Sequence, residues 1–183
     1  MIAKDDYIIV LDFLPQGKPN DRRAEAVTQG VGDKFFNLLE VAINDGVIVK
    51  PKDRVYIGEE KRTEVKYIRG RIRYEELTNF AKNMVEEIVA EIVSKDEKRF
   101  VDFFNKAQPL TTRMHSLELL PGIGKRHLWD ILAARKVRQF ESFKDVQVRI
   151  SMLPDPKRII VRRILAELEN KDRHKLFVAG GGV

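Results

Sequence analysis

Short runs of β-branched and aromatic residues alternate with turn formers over the first 74 residues. The first run, Tyr7 to Phe13, ends at a Leu-Pro turn, and further runs cover 35–43, 47–49, 54–58 and 65–72. Such residues suit a pleated, half-buried surface, and the Gly, Pro, Asn and Asp between them mark turns. Four or five strands without intervening helices predict a small antiparallel β-barrel of the OB or S1 type.

Two connections in this region carry turn signals. Residues 19–32 are polar and contain several turn formers, so we expect a long loop there with a helical turn near 23–28. Asn44-Asp45-Gly46 predicts a hairpin turn between strands at 35–43 and 47–49.

The last predicted strand alternates apolar and basic residues. We expect Lys66, Arg69 and Arg71 to point outward, with Tyr56 and Tyr67 available for stacking on nucleic-acid bases. The alternative is that the aromatic rings belong to the core and the basic residues only discourage edge pairing.

From residue 74 onward the apolar period becomes helical. A helix beginning at Thr78 or Asn79 has an apolar face whose members recur every four residues, namely Phe80, Met84, Ile88 and Ile92. A second helix runs to about Ala107 and is closed by Pro109. We interpret the pair, residues 75–107, as a helical connector.

Residues 120–125, Leu-Pro-Gly-Ile-Gly-Lys, form the sharpest chemical signal in the chain. Pro121 ends a short helix through Met114 and Leu117, because proline lacks an N–H and clashes with the preceding turn. Gly122 and Gly124 permit positive φ, so the amides of residues 122–125 can turn toward one point at the start of the next helix. Unpaired amides and the helix dipole favour an anion there, and the turn predicts a phosphate site.

This segment resembles the helix-hairpin-helix module. The resemblance rests on the Leu-x-x-Leu-Pro-Gly-Ile-Gly-Lys run at 117–125 and on the apolar and basic positions that follow, Leu128, Ile131, Leu132, Arg135, Phe140 and Phe143. It implies that the turn grips a nucleic-acid backbone without reading its sequence. A plain helical turn, in which the glycines serve only close packing, is the alternative.

A shift of 33 residues aligns the turn with a second one. Leu120-Pro121 falls on Leu153-Pro154, and the remaining apolar pairs are Leu117 with Ile150, Leu128 with Val161, Ile131 with Ile164, and Leu132 with Leu165. We therefore predict a tandem helix-hairpin-helix domain over 108–172, since neither copy alone has enough core. In the second turn Asp155 and Pro156 are an N-cap and a first helical residue, so amide capture of phosphate is expected only at the first turn.

The positive charge lies in the same half of the chain. Residues 108–183 contain 15 Lys and Arg against 8 Asp and Glu, whereas residues 1–107 contain 19 against 20. This asymmetry favours an anionic polymer as the partner. The predicted nucleic-acid-binding residues are Gly122, Ile123, Gly124, Lys125, Arg126, Arg135, Lys157, Arg158 and Arg162.

Catalytic and metal chemistry find little support in the sequence. Cysteine is absent, and the three histidines, which we interpret as surface residues, have no metal-ligand or nucleophile spacing. An acidic face at Glu86, Glu87 and Glu91 is better explained by solvation. We expect a non-enzymatic protein with no catalytic residues, metal or cofactor, without membrane association and located in the cytoplasm.

Over its whole length the chain resembles an uncharacterised archaeal family that joins an OB-like barrel to a tandem helix-hairpin-helix domain. The segments that carry the resemblance are Val10–Pro15, Arg54–Gly58, Arg71–Tyr74 and Leu119–Lys125. Genes of that family often lie near those for a ribosomal RNA methyltransferase and an RNA polymerase subunit, so the resemblance implies RNA-related work.

These observations predict a multidomain α+β protein that binds nucleic acid. We expect an OB-like barrel at 1–74, the connector at 75–107, the tandem domain at 108–172 and a partly flexible tail at 173–183. The partner is expected to be RNA rather than DNA, in a ribonucleoprotein or in the transcription or translation machinery. The alternatives are a DNA-repair or recombination accessory that binds duplex or junction DNA, and a protein-interaction scaffold.

Overall fold

The computed structural model describes residues 4–179, and within them five β-strands precede five α-helices. The strands are β1 (Tyr7–Leu14), β2 (Val27–Gly32), β3 (Leu38–Ile43), β4 (Arg54–Tyr56) and β5 (Val65–Arg71). The helices are α1 (Asn79–Lys95), α2 (Glu97–Lys106), α3 (Lys125–Val137), α4 (Phe143–Arg149) and α5 (Pro156–Leu168). The predicted α+β class is confirmed.

The strands form one antiparallel sheet in the order β4-β1-β2-β3-β5. The sheet is curled into a half-barrel. Its inner face buries apolar side chains from both edges and the centre, among them Ile8, Val10, Val41, Val55 and Val65. The expected small antiparallel sheet is therefore present, and β4 and β5 are its two edges among the described residues.

The loop expected over 19–32 is wrong in its second half, where β2 forms a central, fully buried strand. Glycine has low strand propensity, which hid β2 in the sequence, but the fold needs glycine here. A Cβ on Gly32 would lie 2.0 Å from the buried Asp5 carboxyl group, and one on Gly30 would lie 2.8 Å from Ile8. Asp5 in turn accepts hydrogen bonds from the amides of Lys34 and Phe35.

The turn at Asn44-Asp45-Gly46 forms, but the predicted strand at 47–49 does not. The Val47 amide donates to the Asn44 carbonyl at 3.0 Å, and Gly46 has a φ of 79°. After the turn the chain crosses to the opposite edge, where the Lys52 amide donates to the Val10 carbonyl and the Val10 amide donates to the Asp53 carbonyl. The place beside β3 is taken by β5, so the hairpin partner of β3 comes later in the sequence than expected.

Helices α1 and α2 begin and end close to the predicted positions. The Thr78 hydroxyl accepts from the Ala81 amide at 3.0 Å, which caps the first turn of α1. The buried face of α1 contains Val85, Ile88 and Val89, but Phe80 is 50% exposed and lies outside it. The recurrence of apolar residues every four positions therefore identified the helix correctly, but it wrongly included Phe80 in the buried face.

Two compact units are present among the described residues. One contains the described parts of 1–88 and 166–183, and the other contains 89–165, so the boundaries fall inside α1 and α5. The domain limits at 74, 107 and 172 followed changes of composition and period, and they stay a prediction.

The last described residues form no strand. Instead the buried Glu167 carboxylate accepts from the amides of 176–178 at 2.7 to 3.0 Å. The Ala179 amide donates to the Phe35 carbonyl at 3.0 Å. The glycines 180–182, expected to be a flexible terminus, lie outside the described residues.

Candidate functional site

The turn at 120–125 is preceded by a single 3-10 turn, Ser116–Leu119, and not by the helix expected through Met114. His115 sits at its N-cap, where its ring Nδ1 accepts from the Leu117 amide at 3.1 Å. Pro121 then ends the element as predicted. The element before the turn is thus shorter than the helix that the sequence predicted there.

The two glycines of the turn have different backbone conformations. Gly122 has a φ of 86°, which L residues adopt only at a cost, whereas Gly124 is extended with a φ of −97°. Glycine permits positive φ at both positions, and of the two only Gly122 adopts it. Between them Ile123 is 6% exposed, so its side chain anchors the turn.

The amides of this turn are not equally available to a ligand. The Ile123 amide donates to the Leu120 carbonyl at 3.1 Å, which corrects the expectation that it would face an anion. The amides of Gly122, Gly124 and Lys125 have no acceptor among the described residues. All three belong to exposed residues at the start of α3, where the helix dipole favours negative charge.

The two cations that follow the turn also differ. Lys125 places its ammonium 2.7 Å from the Glu118 carboxylate, so its charge is compensated within the turn. This contact, with the amide of His115, lowers the pKa of Glu118. Arg126 is exposed and its guanidinium has no partner among the described residues.

Arg135 was predicted to contact nucleic acid, but the structure places it elsewhere. Its half-buried guanidinium donates to the carbonyls of Phe104 at 3.1 Å and Ala107 at 2.9 Å. These carbonyls belong to the C-terminal end of α2, which has no intrahelical donors for them. Arg135 therefore closes α2 through the Nη1 atom of its guanidinium.

The second turn forms as its sequence predicted. The Asp155 carboxylate accepts from the Lys157 amide at 2.9 Å, and Pro156 is the first residue of α5. The side chains of Lys157, Arg158 and Arg162 have no ion pair or hydrogen bond among the described residues. The second turn therefore contributes cations, and the start of its helix offers a ligand no equivalent set of amides, because Pro156 has no N–H and the Lys157 amide is bonded to Asp155.

The two turns are neighbours in space. A Cβ on Gly122 would lie 3.3 Å from the Pro154 ring. Arg163 of α5 is buried and donates to the Leu119 carbonyl of the first turn at 3.1 Å. The paired arrangement of the turns is therefore present in the unit formed by 89–165.

The internal repeat holds for burial but not for register. The apolar pairs matched by the 33-residue shift have the same burial class in both copies. However, α3 begins at Lys125 and α5 at Pro156, 31 residues later. The two copies therefore share their apolar spacing, but relative to that spacing α5 begins two residues earlier than α3.

Of the two histidines near the turn, His115 is buried, which corrects its interpretation as a surface residue. His115 is 7% exposed, and burial, aided by the positive charge of Arg135, lowers its pKa. The half-buried His127 ring places Nδ1 3.2 Å from the Gly122 carbonyl, inside the turn.

Sequence reasoning missed one exposed aromatic residue. Trp129 lies on α3, one helical turn after Lys125, and is 65% exposed. It is the only tryptophan of the chain. Because it follows Lys125 by four residues, the sequence could have placed it on the same face of the helix as that lysine.

One of the three residues of the basic face predicted on β5 is neutralised, whereas Lys66 and Arg71 are exposed as expected. Arg69, expected to point outward, is half-buried and donates to Asp21, Glu25 and Glu40. The Tyr67 hydroxyl donates to the same Glu25 carboxylate, which raises the pKa of Tyr67. This strand therefore offers a nucleic acid fewer free groups than its sequence suggests.

Within residues 4–179 the carboxylates and histidines form no cluster able to hold a metal ion. None of the helices described there combines the length and the hydropathy that crossing a bilayer requires.

The curled five-stranded sheet and the helical unit with its two adjacent turns define an α+β protein with one exposed, amide-bearing turn. The comparisons with known proteins give the family. Residues 4–179 match the model described as a protein of unknown function (DUF655), and the chain belongs to this family.

Two relatives are archaeal, which confirms the expectation of an archaeal family. The uncharacterized protein MJ0038 of Methanocaldococcus jannaschii is 44% identical over 176 residues, covering 95% of this chain and 80% of the relative. The crystal structure of Af1531 from Archaeoglobus fulgidus superposes with a TM-score of 0.87 at 46% identity. That match covers 96% of this chain and all of the other.

Proposed function

We propose that the protein binds the sugar-phosphate backbone of nucleic acid through the turn at 120–125. The observation that carries the proposal is the set of unbonded amides of Gly122, Gly124 and Lys125 at the exposed start of α3. A phosphate oxygen would satisfy these donors and interact favourably with the helix dipole. Contacts of this kind hold the backbone and read no bases.

Cations around the two turns support the same partner. Four of the predicted binding residues have side-chain charges without a partner among the described residues, namely Arg126, Lys157, Arg158 and Arg162. In this proposal Lys125 serves mainly to hold Glu118 and contributes its amide, and Arg135 has no binding role.

We further propose that the unit formed by 89–165 is a tandem helix-hairpin-helix domain and the sheet an OB-like barrel. The adjacency of Gly122 and Pro154 and the buried Ile123 support the first assignment. The strand order and the open side between β4 and β5 support the second, because OB barrels are five-stranded and partly open. The short 3-10 arm before Pro121 is a departure from two full helices.

RNA is the proposed polymer, and the preference rests on the resemblance to the archaeal family. The activity is binding without catalysis, cofactor or metal, within a cytoplasmic ribonucleoprotein or the transcription or translation machinery. A DNA-repair or recombination accessory shares the same turn and differs in preferring duplex or junction DNA.

The test is a titration of the purified protein with duplex DNA, a single strand and structured RNA at two salt concentrations. Neutralisation of four phosphates on a single strand gives a slope of log K against log salt of roughly −3, at about −0.7 per contact. Tight binding of structured RNA with this slope supports the proposal. A flat salt response contradicts it, and a preference for junction or duplex DNA favours the repair accessory.

Charge reversal sharpens the same experiment. Arg126→Glu is expected to remove most of the affinity and leave the fold intact. Lys98→Glu on α2 is the matched control, because Lys98 is exposed and the substitution changes the net charge equally. A protein-interaction scaffold would instead keep its partner when Lys125 and Arg126 are both changed to Glu.

A further inference from the structure

The outward face of α3 continues from the turn as a mixed apolar and basic surface. Its exposed members are Lys125, Arg126, Trp129, Ala133, Lys136 and Val137. The opposite face contains Leu128 and Ile131, which are 4% and 0% exposed. The helix is therefore anchored on one side and leaves the indole of Trp129 in solvent on the other.

Trp129 lies near the turn, on the same face of α3 as Lys125. It follows Lys125 by four residues, which is one turn and roughly 6 Å along the helix axis. The next residue on this face is Ala133, whose methyl group is too small to cover the indole ring.

The charges beside the ring favour a polyanion. Arg126 and Lys136 are exposed and have no partner among the described residues. The acidic residue of α3, Asp130, is half-buried and points about 100° around the helix from Trp129. An aromatic ring flanked by free cations is the arrangement that binds nucleotides by stacking and backbone neutralisation together.

We propose that Trp129 stacks on an unpaired base of the strand whose phosphate occupies the turn. The inference rests on the proposed function and narrows its substrate to single strands and unpaired loops. Paired bases are already stacked inside a duplex and cannot reach an external ring. Because every base has a π-face, this contact adds affinity without adding sequence specificity.

The tryptophan itself supplies the assay, since its emission comes from one position. The protein is titrated with a short single-stranded RNA, with the same strand in a duplex, and with an abasic strand of equal length. The single strand is expected to quench the emission by half or more, and the abasic strand to bind without quenching. Equal quenching by all three strands overturns the proposal.

Binding measurements on variants separate this inference from the proposed function. Trp129→Ala is expected to weaken single-strand binding by roughly tenfold or more and to leave abasic and duplex binding unchanged. Trp129→Phe keeps a stacking ring and should retain most of the affinity. Phe80→Ala, which removes an exposed aromatic ring from the other unit, is the control and should change nothing.

Each remaining outcome has a definite meaning. If Arg126→Glu weakens all three strands while Trp129→Ala has no effect, backbone binding stands and the stacking proposal falls. If no strand binds, both fall. Emission that changes with protein concentration alone shows that this face joins two copies of the chain, which also overturns the proposal.

Discussion

The two glycines of the turn flank the same residue, Ile123, and have different functions in the structure. Gly122 occupies the left-handed region and packs against Pro154, whereas Gly124 is extended and has open space around it. Only the first needs to be glycine for conformational reasons. The second is the N-cap of α3, where serine is also favoured.

The same substitution at both positions tests this difference. Gly122→Ser is expected to lower the free energy of unfolding by about 1–2 kcal/mol, because a Cβ is strained at this φ and crowds Pro154. Gly124→Ser should be neutral or slightly stabilising. Urea denaturation of the two variants measures both effects, and equal losses would show that the two conformations are misassigned.

His115 makes the helical unit sensitive to acid. Burial, then the charge of Arg135, holds its folded-state pKa below the ordinary value of 6.5, against an opposing effect of Glu118. As the pH falls below 6.5 the unfolded chain takes up the proton first, so the free energy of unfolding declines. The stability contributed by neutral His115 is complete above that pH.

Replacing the ring by an amide should remove this sensitivity. His115→Asn can still cap the Leu117 amide, and its unfolding midpoint should decline less than that of the wild type between about pH 7.5 and about pH 5.5. His127→Asn leaves His115 intact and should keep the wild-type decline. Circular dichroism melts at the two pH values compare the proteins, and parallel declines in all three would refute the role of His115.

At the scale of elements, local pattern predicted most of the secondary structure. Runs of β-branched residues located β1, β4 and β5. Apolar residues at every fourth position located α1, and the Asp-Pro pair located the start of α5. Strand β2 escaped because its glycines are required by Asp5 and Ile8, which approach from elsewhere in the chain. Strand propensity depends on the residue alone, so it scores these glycines as unfavourable. The close contacts that require glycine form only in the tertiary structure and are not visible to a local pattern.

The candidate site was predictable to the same extent. The turn, its buried Ile123 and the cap at Asp155 follow from local rules and were found. The assignments that failed concern side chains whose partners are distant in sequence, as with Arg135 and the end of α2. A basic residue that closes another helix has the same sequence signature as one that binds phosphate.

Arg135 provides a test of that distinction. Arg135→Met keeps the aliphatic stem and removes the donors to Phe104 and Ala107, so the free energy of unfolding should fall by about 1.5–3 kcal/mol. The adjacent Lys136→Met, at an exposed position, should change it by less than about 0.5 kcal/mol. If the two variants were equally stable in urea, the hydrogen bonds of Arg135 would not stabilise the fold, and its role at the end of α2 would be refuted.

At the scale of the whole molecule, the excess positive charge and the amide-bearing turn lie in the same half of the sequence. The negative half contains the sheet, whose acidic groups already engage Arg69 and Lys18. The two turns of the helical unit are unequal, since the first presents three unbonded amides at the start of its helix, whereas the helix of the second begins with a proline and an amide bonded to Asp155. Backbone binding is therefore expected to be centred on α3, with α5 adding electrostatic attraction.

The most direct test follows the backbone amides of the turn by NMR while single-stranded RNA is added to isotopically labelled protein. The amide protons of Gly122, Gly124 and Lys125 should shift downfield as they bond to phosphate, and that of Ile123, bonded to Leu120, should move less. If these three resonances stay in place while RNA binds elsewhere on the protein, the turn is not the site and the account is wrong.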